Sequence, residues 1–415
     1  MGKGTVVIIG GGPAGMMAAI AAAGRGAETV LLEKNEKTGR KLCITGKGRC
    51  NVTNASEPDA MAEKFFTGAK FMYGPLNAFS SADLIEFFAS NGLKMKRERG
   101  GRVFPETDSA YDVRDALEAR MKACGVRVRS NARAVSVETE GGGVSGVKTE
   151  HSFYEAGAAV IATGGLSYPS TGSTGDGLDM ARSLGHRTAD TYPSLVPLIA
   201  NEPWIAELEG LSLKNVKVTA ACRGKTLFSE MGEMLFTRSG ISGPLALEAS
   251  GRLTDKFDKK PAVSIDLKPA LSAETLDARL LRDFAANMNK NFANSLDGLL
   301  PKRLIGIIVR LSGVDPEKKV NCVTKAERLR LGGLLKGLTI TPVGTAGYQE
   351  AIVTMGGVET KEINPATMMS KLVGGLFFAG EVIDVDAATG GYNLQAAFST
   401  GFVAGCSAAK RVGCV

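Results

Sequence analysis

Thr5-Val-Val-Ile-Ile-Gly-Gly-Gly-Pro-Ala-Gly15 decides how this chain is read. Val6 to Ile9 form a short β-branched run, and an Ala-rich stretch continues from Ala14 to Gly24. Gly10, Gly12 and Gly15 between them have the spacing of a strand that turns sharply into a helix. The first glycine makes the turn, the second leaves room for a pyrophosphate, and the third lets helix and strand approach closely. The helix start then presents free N–H groups and partial positive charge to the phosphates. A second apolar run, Thr29 to Leu32, ends in Glu33, where an acidic side chain accepts hydrogen bonds from a ribose. The reading is a dinucleotide site.

Gly141, Gly143 and Gly146 repeat the spacing in a different setting. They fall between the alternating runs Ala132–Glu138 and Val144–Thr149, so they predict a hairpin with no helix after it.

The 415 residues suffice for two or three domains. With 44% hydrophobic and 22% charged residues, the chain reads as an ordinary globular protein. Gly or charge interrupts every apolar run before it reaches membrane-span length, and no charged-then-apolar presequence precedes Val6, so a cytoplasmic protein without stable membrane association is expected. Seven Cys with no C-x-x-C pair suggest neither a disulfide framework nor a zinc site. Only His151 and His186 are available to any His-based chemistry, and no metal site is expected. His151 is expected to be exposed, and His186 to sit at a helix C-terminus, where a cation is favoured. The net charge of +7 concentrates in Lys94–Arg102, Lys256–Lys260 and Lys318–Lys336. Each cluster reads first as a solvated face and second as contact with a polyanion such as RNA or a CoA ester.

Lys34 to Asn54 is a long, polar, glycine-rich loop, too specific in its groups for disorder. Helices are expected from Ser80-Ser81-Ala-Asp83, over Tyr111–Cys124 and from Gly175 to about Gly185; Ala158-Ala-Val-Ile-Ala-Thr-Gly-Gly165 reads as a buried strand running into a glycine turn. Short strand-like runs at Val196–Leu198, Val216–Cys222, Thr226–Ser229 and Met234–Phe236 suggest a small barrel. Ser272 to Lys336 is helical and charged, and Leu338–Ile340 resumes strand character. Leu376-Phe-Phe-Ala-Gly-Glu381 is a strand ending in Gly-Glu, Asp384–Thr389 a loop, and Gly390-Gly-Tyr-Asn-Leu-Gln395 the start of a small-residue helix. The expected architecture is α/β. A Rossmann-like nucleotide-binding domain (1–192 and 356–415), FAD-binding by the resemblance given next, is interrupted by a β-barrel insert (193–271, returning at 337–355) and a helical subdomain (272–336).

FAD enters through a resemblance. The stretches Thr45-Gly-Lys-Gly-Arg-Cys-Asn-Val-Thr-Asn54, Gly101-Arg-Val-Phe-Pro105, Gly240-Ile-Ser-Gly-Pro244, Val353-Thr-Met-Gly-Gly-Val358, Gly380–Asp386 and Gly390–Gln395 resemble bacterial NAD(P)/FAD-dependent oxidoreductases over nearly the whole chain. The resemblance implies non-covalent FAD, with NAD(P)H as a transient electron donor. Gly10, Gly12, Ala14 and Gly15 would hold the pyrophosphate and Glu33 the adenosine ribose, with Lys34 beside it. Arg40 and the loop carrying Thr45, Gly46, Arg49, Cys50 and Asn51 would line the flavin and phosphates. The Val135 backbone would meet adenine, and Thr163 and Gly164 would flank the nucleotide. Gly380, Glu381, Gly391, Asn393, Leu394 and Gln395 would lie along the ribityl chain and flavin, where a helix start favours negative charge.

The activities implied are reduction of a conjugated C=C bond, conversion of a uridine in ribosomal RNA to dihydrouridine, and amine or aminoketone oxidation. The first two pass hydride from NAD(P)H through flavin N5 to an enone or uracil-like acceptor. A non-catalytic flavin- or RNA-binding protein is the remaining alternative. The expected partner is thus a small unsaturated acceptor or rRNA. Relatives often carry Phe-Thr-His where this chain has Phe236-Thr-Arg238, and Glu where it has Met369. Arg238 can hold a carbonyl or phosphate, as a candidate catalytic group, but does not cycle a proton near neutral pH. Tyr392, in the Gly-Gly-Tyr-Asn turn, is the other candidate catalytic group. Cys43 and Cys50 flank the glycine loop at a spacing that favours packing over redox pairing.

Overall fold

The structure, a computed structural model, describes residues 4–414. The chain forms two compact units, Met1–Ser194 with Tyr348–Val415, and Leu195–Gly347.

The first unit is built on a five-stranded parallel sheet. In spatial order its strands are Leu376–Phe378, Ala158–Ile161, Thr5–Ile9, Glu28–Leu32 and Arg127–Arg129. Chain order reverses at Thr5–Ile9, so connections leave its two sides in opposite directions and open a crevice beyond the strands' carboxyl ends. The three central strands are almost wholly buried, packed by the helices Pro13–Ala23 and Tyr392–Arg411 and by the strand Gly143–Thr149. Pro13–Ala23, the opening helix, packs on Tyr392–Arg411, the closing helix. A Cβ on Gly401 would lie 2.3 Å from the Ala14 carbonyl oxygen, and one on Gly405 2.2 Å from that of Ala18. Two glycines four residues apart therefore let the two ends of the chain meet backbone to backbone.

The predicted hairpin forms as Ala134–Glu140 and Gly143–Thr149, extended by Phe153–Glu155. The helix Ser81–Ser90 carries the predicted start as a reciprocal capping box between Ser80 and Asp83, a feature worth about 1 kcal/mol. Ala110–Ala123 and Asp176–Ser183 match the other predicted helices to within two residues. Asp384–Thr389, expected as a loop, includes a two-residue strand, Asp386–Ala387, paired with Phe65–Thr67.

The second unit holds a sheet that closes through one bent segment. Leu338–Ile340 pairs with Ala262–Asp266 at one edge, and Pro342–Thr345 pairs with Leu198–Ala200 at the other. Pro342 cannot continue the first ladder, so the chain changes partner at Thr341 and joins the two edges into a barrel. The runs expected as separate strands at Thr226–Ser229 and Met234–Phe236 form one strand, Lys225–Thr237, against Ser212–Cys222. The polar Glu230–Glu233 stretch that reads as a break is the exposed part of that hairpin. Ala273–Ala286, Lys302–Ser312 and Lys325–Lys336 supply the helices, and their apolar faces share one core with the barrel. Sheet and helices thus form one unit. The first unit resumes at Tyr348, not at 356, because Val353–Met355 pairs with Tyr192–Ser194.

Candidate functional site

The turn after Thr5–Ile9 shows what each glycine does. Gly10 has φ of +106°, and a Cβ there would lie 2.5 Å from the Ala162 carbonyl oxygen. A Cβ on Gly15 would lie 1.9 Å from the Gly10 carbonyl oxygen. One on Gly12 would meet nothing within 4 Å. Gly10 and Gly15 are thus demanded by the protein's own packing. Gly12 lines a cleft and leaves it open where a pyrophosphate needs close backbone approach. The cleft lies beyond the carboxyl ends of the sheet, flanked by the starts of the opening and closing helices.

The order of the strands gives the cleft two sides. On one, Glu33 is buried at the end of Glu28–Leu32. One carboxylate oxygen accepts from Gly11 N at 2.8 Å, and the other from Asn35 N at 2.8 Å and Asn35 Nδ2 at 2.6 Å. The first oxygen keeps an acceptor direction for a ribose hydroxyl. Beside it Lys34 Nζ donates to Thr174 Oγ1 at 2.6 Å and Asp176 Oδ2 at 2.9 Å, and Arg133 reaches Asp176 at 3.1 Å. Burial works to raise the Asp176 pKa, but Arg133 and Lys34 outweigh it and hold the carboxyl below its ordinary value.

On the other side Glu381 lies just beyond Leu376–Phe378. Its Oε1 accepts from Ser167 Oγ at 2.8 Å and Thr354 N at 2.8 Å, and its Oε2 from Lys41 Nζ at 2.7 Å. Lys41 also donates to Ser167 Oγ. Burial pushes the Glu381 pKa up, yet Lys41 and the hydrogen bonds prevail and keep it ionised. Asn393 spends its side chain on Ala387, accepting from its N at 2.9 Å and donating to its O at 2.8 Å. What Asn393 offers the cleft is backbone at the helix start.

The cleft gathers Gly10, Gly12, Ala14, Glu33, Lys34, Arg40, Thr45, Thr163, Gly164, Gly380, Glu381, Asn393 and Leu394. Other residues named from the sequence are placed elsewhere. Gly15 lies under the turn. Val135 is 53% exposed, and its neighbours Ala132, Arg133 and Ala134 line the cleft in its stead. Arg49 stacks on Phe104 at 4.2 Å and pairs with Glu98 and Asp108. Cys50 is buried at φ +59°, where burial pushes its thiol up to about 12; Cys43 is raised for the same reason. Both thiols stay protonated. Asn51 accepts from Val103 N at 3.2 Å. Gly46 and Gly391 adopt positive φ, and Gly391 leaves no room for a Cβ against Thr53. Gln395 is fully buried between Thr53, Phe79 and Ser399 and ties the closing helix to the Thr45–Asn54 segment.

Tyr392 is buried and outside the cleft lining. Arg238 is an exposed residue of the second unit. His151 is exposed as expected. His186 departs from expectation: it is buried, with Nδ1 3.1 Å from Glu362 Oε2 and Nε2 2.8 Å from Ser370 Oγ. Desolvation lowers its pKa against the pull of Glu362, so it is neutral rather than a helix-end cation.

Asn35, Lys41, Arg133, Ser167, Asp176 and Thr354 also build the site, and the sequence marks none of them as a site residue. Lys41 stands in the glycine-rich loop, but its partner is 340 residues away. The basic clusters also separate. In Lys318–Lys336, Lys318 pairs with Glu327, Arg328 with Asp277 and Lys336 with Asp266. Those charges tie the helix Lys325–Lys336 to a loop, to the helix Ala273–Ala286 and to the strand Ala262–Asp266. Lys94, Arg97, Arg99 and Arg102 are exposed. Among the described residues no group of three or more His, Cys, Asp or Glu is arranged to hold a metal, and no helix is long and apolar enough to cross a membrane.

The chain matches the model of the HI0933-like protein Rossmann domain over residues 4–407. It is 33% identical over 410 residues to a 3-dehydro-bile acid delta(4,6)-reductase of Clostridium scindens, covering 97% of this chain and 98% of that one. It is 32% identical over 397 residues to a ribosomal RNA dihydrouridine synthase of Escherichia coli, covering 95% of each. Among solved structures it resembles a 3-ketosteroid-delta4-(5alpha)-dehydrogenase from Rhodococcus jostii RHA1, with TM-score 0.54, 17% identity, and 97% and 96% of the two chains covered. That last likeness is one of fold. The chain belongs to the HI0933-like family of FAD-binding Rossmann proteins.

Proposed function

We propose that this HI0933-like FAD-dependent oxidoreductase reduces an activated C=C bond of a small enone, using NAD(P)H. The observation that carries the reading is the cleft itself. Gly12 leaves a gap where a pyrophosphate would fit, Glu33 ends the second strand, and two helix starts flank the opening. The full-length likeness to a protein named as a bile-acid C=C reductase supports the acceptor class.

Gly10 to Ala14 and the opening helix would hold the pyrophosphate, Glu33 the adenosine ribose, and the Lys41–Glu381 side with the closing helix the flavin half. Bound there, FAD would supply two-electron chemistry between a nicotinamide donor and an acceptor carbon. The protein's own work is to orient the cofactor and to place helix-start N–H groups where negative charge develops. The overall change adds one hydride and one proton across the C=C bond and leaves oxidised nicotinamide.

A second reading, rRNA dihydrouridine synthesis, is favoured by the +7 charge and the exposed Lys94, Arg97, Arg99 and Arg102. It is also supported by the likeness to the Escherichia coli protein. Both readings use the same reduced cofactor, so one experiment separates them. Purified protein is expected to be yellow and to bleach anaerobically with NADH or NADPH. A steroid-type enone should then restore the colour, whereas a uridine-containing rRNA fragment should not. Recolouring by the RNA alone selects the second reading. Bleaching by an amine but not by either nicotinamide makes the protein an oxidase. A colourless protein that FAD does not reconstitute overturns every flavin reading.

A further inference from the structure

Lys41 and Glu381 come from opposite ends of the chain and meet in the cleft. Glu381 Oε1 already accepts two hydrogen bonds, from Ser167 Oγ and Thr354 N. Its remaining oxygen accepts from Lys41 at 2.7 Å. The bracket around it is itself fixed. Thr354 Oγ1 accepts from Leu166 N at 2.8 Å and Ser167 N at 3.1 Å. A Cβ on Gly165 would lie 2.5 Å from that same oxygen, so the glycine turn after Ala158–Ile161 closes down on Thr354. Ser167 is fully buried, and Thr354 nearly so. The carboxylate therefore sits in a rigid socket formed by three separate segments.

An ammonium has three N–H donors. Lys41 gives one to Glu381 and one to Ser167, and the third has no partner among the described residues. Lys41 lines the cleft. Sheet order puts it with Glu381 on the side opposite Glu33, the ribose-binding side. A socket this elaborate is not needed to keep a lysine at a surface, where a lone ion pair contributes little.

We propose that Lys41 contacts the flavin half of FAD through this third N–H, and that Glu381 is a positioning residue whose charge balances Lys41. The proposal rests on the FAD reading above. The pair is neutral overall, so breaking it from either end leaves a charge of opposite sign beside the cofactor. Loss of Lys41 leaves a carboxylate, which disfavours added electrons. Loss of the Glu381 charge leaves an ammonium, which favours them.

The test measures the dissociation constant for FAD and the flavin midpoint potential in wild-type, Lys41→Met, Lys41→Arg, Glu381→Gln and Lys41→Met/Glu381→Gln proteins. Lys41→Met should weaken FAD binding about tenfold, as expected for one lost charge-assisted hydrogen bond, and lower the potential. Glu381→Gln should raise the potential. The double variant, neutral again, should return towards the wild-type potential, and Lys41→Arg should retain most of the affinity. Unchanged affinity and potential in folded Lys41→Met overturns the proposal, as do two single variants that shift the potential in the same direction. Neither readout uses a nicotinamide or an acceptor. A protein that binds no FAD at all defeats the functional reading itself, a separate result from normal FAD binding that ignores Lys41.

Discussion

Gly10, Gly12 and Gly15 share their spacing with Gly141, Gly143 and Gly146, and the protein uses the two triplets for opposite ends. In the first, Gly10 is pressed against Ala162, Gly15 against Gly10, and Gly12 faces open space. In the second, Gly141 faces open space at φ +59° in an exposed hairpin turn, and the buttressed member is Gly146, beneath Phe153. The first triplet leaves backbone open to the cleft. The second makes a reversal and seats an aromatic ring. The next element along the chain separates them: a helix aimed at the turn in one case, a returning strand in the other.

The comparison breaks most sharply at Gly12. Its φ is −79°, which any residue adopts, and a Cβ there touches nothing. Gly12→Val should therefore fold normally and lose FAD, with affinity down by about a hundredfold or more, because the side chain fills space the phosphates need. Gly141→Ala, in open space and outside the cleft lining, should bind FAD as the wild type does. Fluorescence titration with FAD, alongside a thermal melt, checks both. A yellow Gly12→Val protein of normal affinity would remove the meaning given to the first triplet.

That expectation was legible in the sequence because strand, turn, helix and Glu33 are close along the chain. So were the Ser80–Asp83 cap and the hairpin, where pattern and turn chemistry agree. The remainder was not, for a physical reason. Lys41 finds Glu381 across 340 residues, and Lys34 finds Asp176 across 142. No local periodicity encodes such pairings. Gln395 stands in a motif that promises a ligand, yet its amide is consumed by Thr53, Phe79 and Ser399. Arg49 likewise reads as lining the flavin and phosphates until Glu98 and Asp108 claim it. Sequence announces which residues are special more readily than whether a ligand or the protein itself is their partner.

A second pair of substitutions sharpens the contrast, with intermediate effect. Gly15→Ala drives a Cβ to 1.9 Å from the Gly10 carbonyl oxygen. It should cost about 2–3 kcal/mol as overpacking against backbone and should weaken FAD binding as well. Gly146→Ala brings a Cβ to 2.3 Å from the Phe153 ring and 2.7 Å from the Tyr154 carbonyl oxygen. Phe153 is exposed and free to swing aside, which leaves only the Tyr154 carbonyl to give way, so the cost should be lower, about 1–2 kcal/mol, with FAD affinity unchanged. Urea unfolding with and without FAD measures both. Equal loss of FAD affinity in the two variants would mean that the triplets differ less than their surroundings suggest.

The smallest effect tests how far the first triplet's context extends. The parallel sheet ends at Leu376–Phe378, and His186 lies edge-on to Phe378 with ring centroids 4.9 Å apart. Neutral His186 donates from Nδ1 to Glu362 and accepts at Nε2 from Ser370, whose oxygen already accepts from Leu372 N and Val373 N. A proton on Nε2 has no place in that arrangement. Burial lowers the folded-state pKa from 6.5, so below that value the unfolded chain binds a proton that the folded chain refuses. Stability is therefore complete above about pH 6.5 and falls as the pH drops, with a slope of at most about 1.4 kcal/mol per pH unit for one group. The carboxyl of Glu362, held below its ordinary value against burial by Arg187 and His186, titrates in a more acidic window. His151, the other histidine, is exposed. The stability of His186→Gln should thus be flatter than wild type between about pH 6.5 and 5, with FAD affinity at about pH 7 unaltered. Parallel pH profiles would show that this edge of the sheet carries no buried proton switch. An altered affinity would show that the cofactor turn is held by contacts running through Phe378 to the far strand.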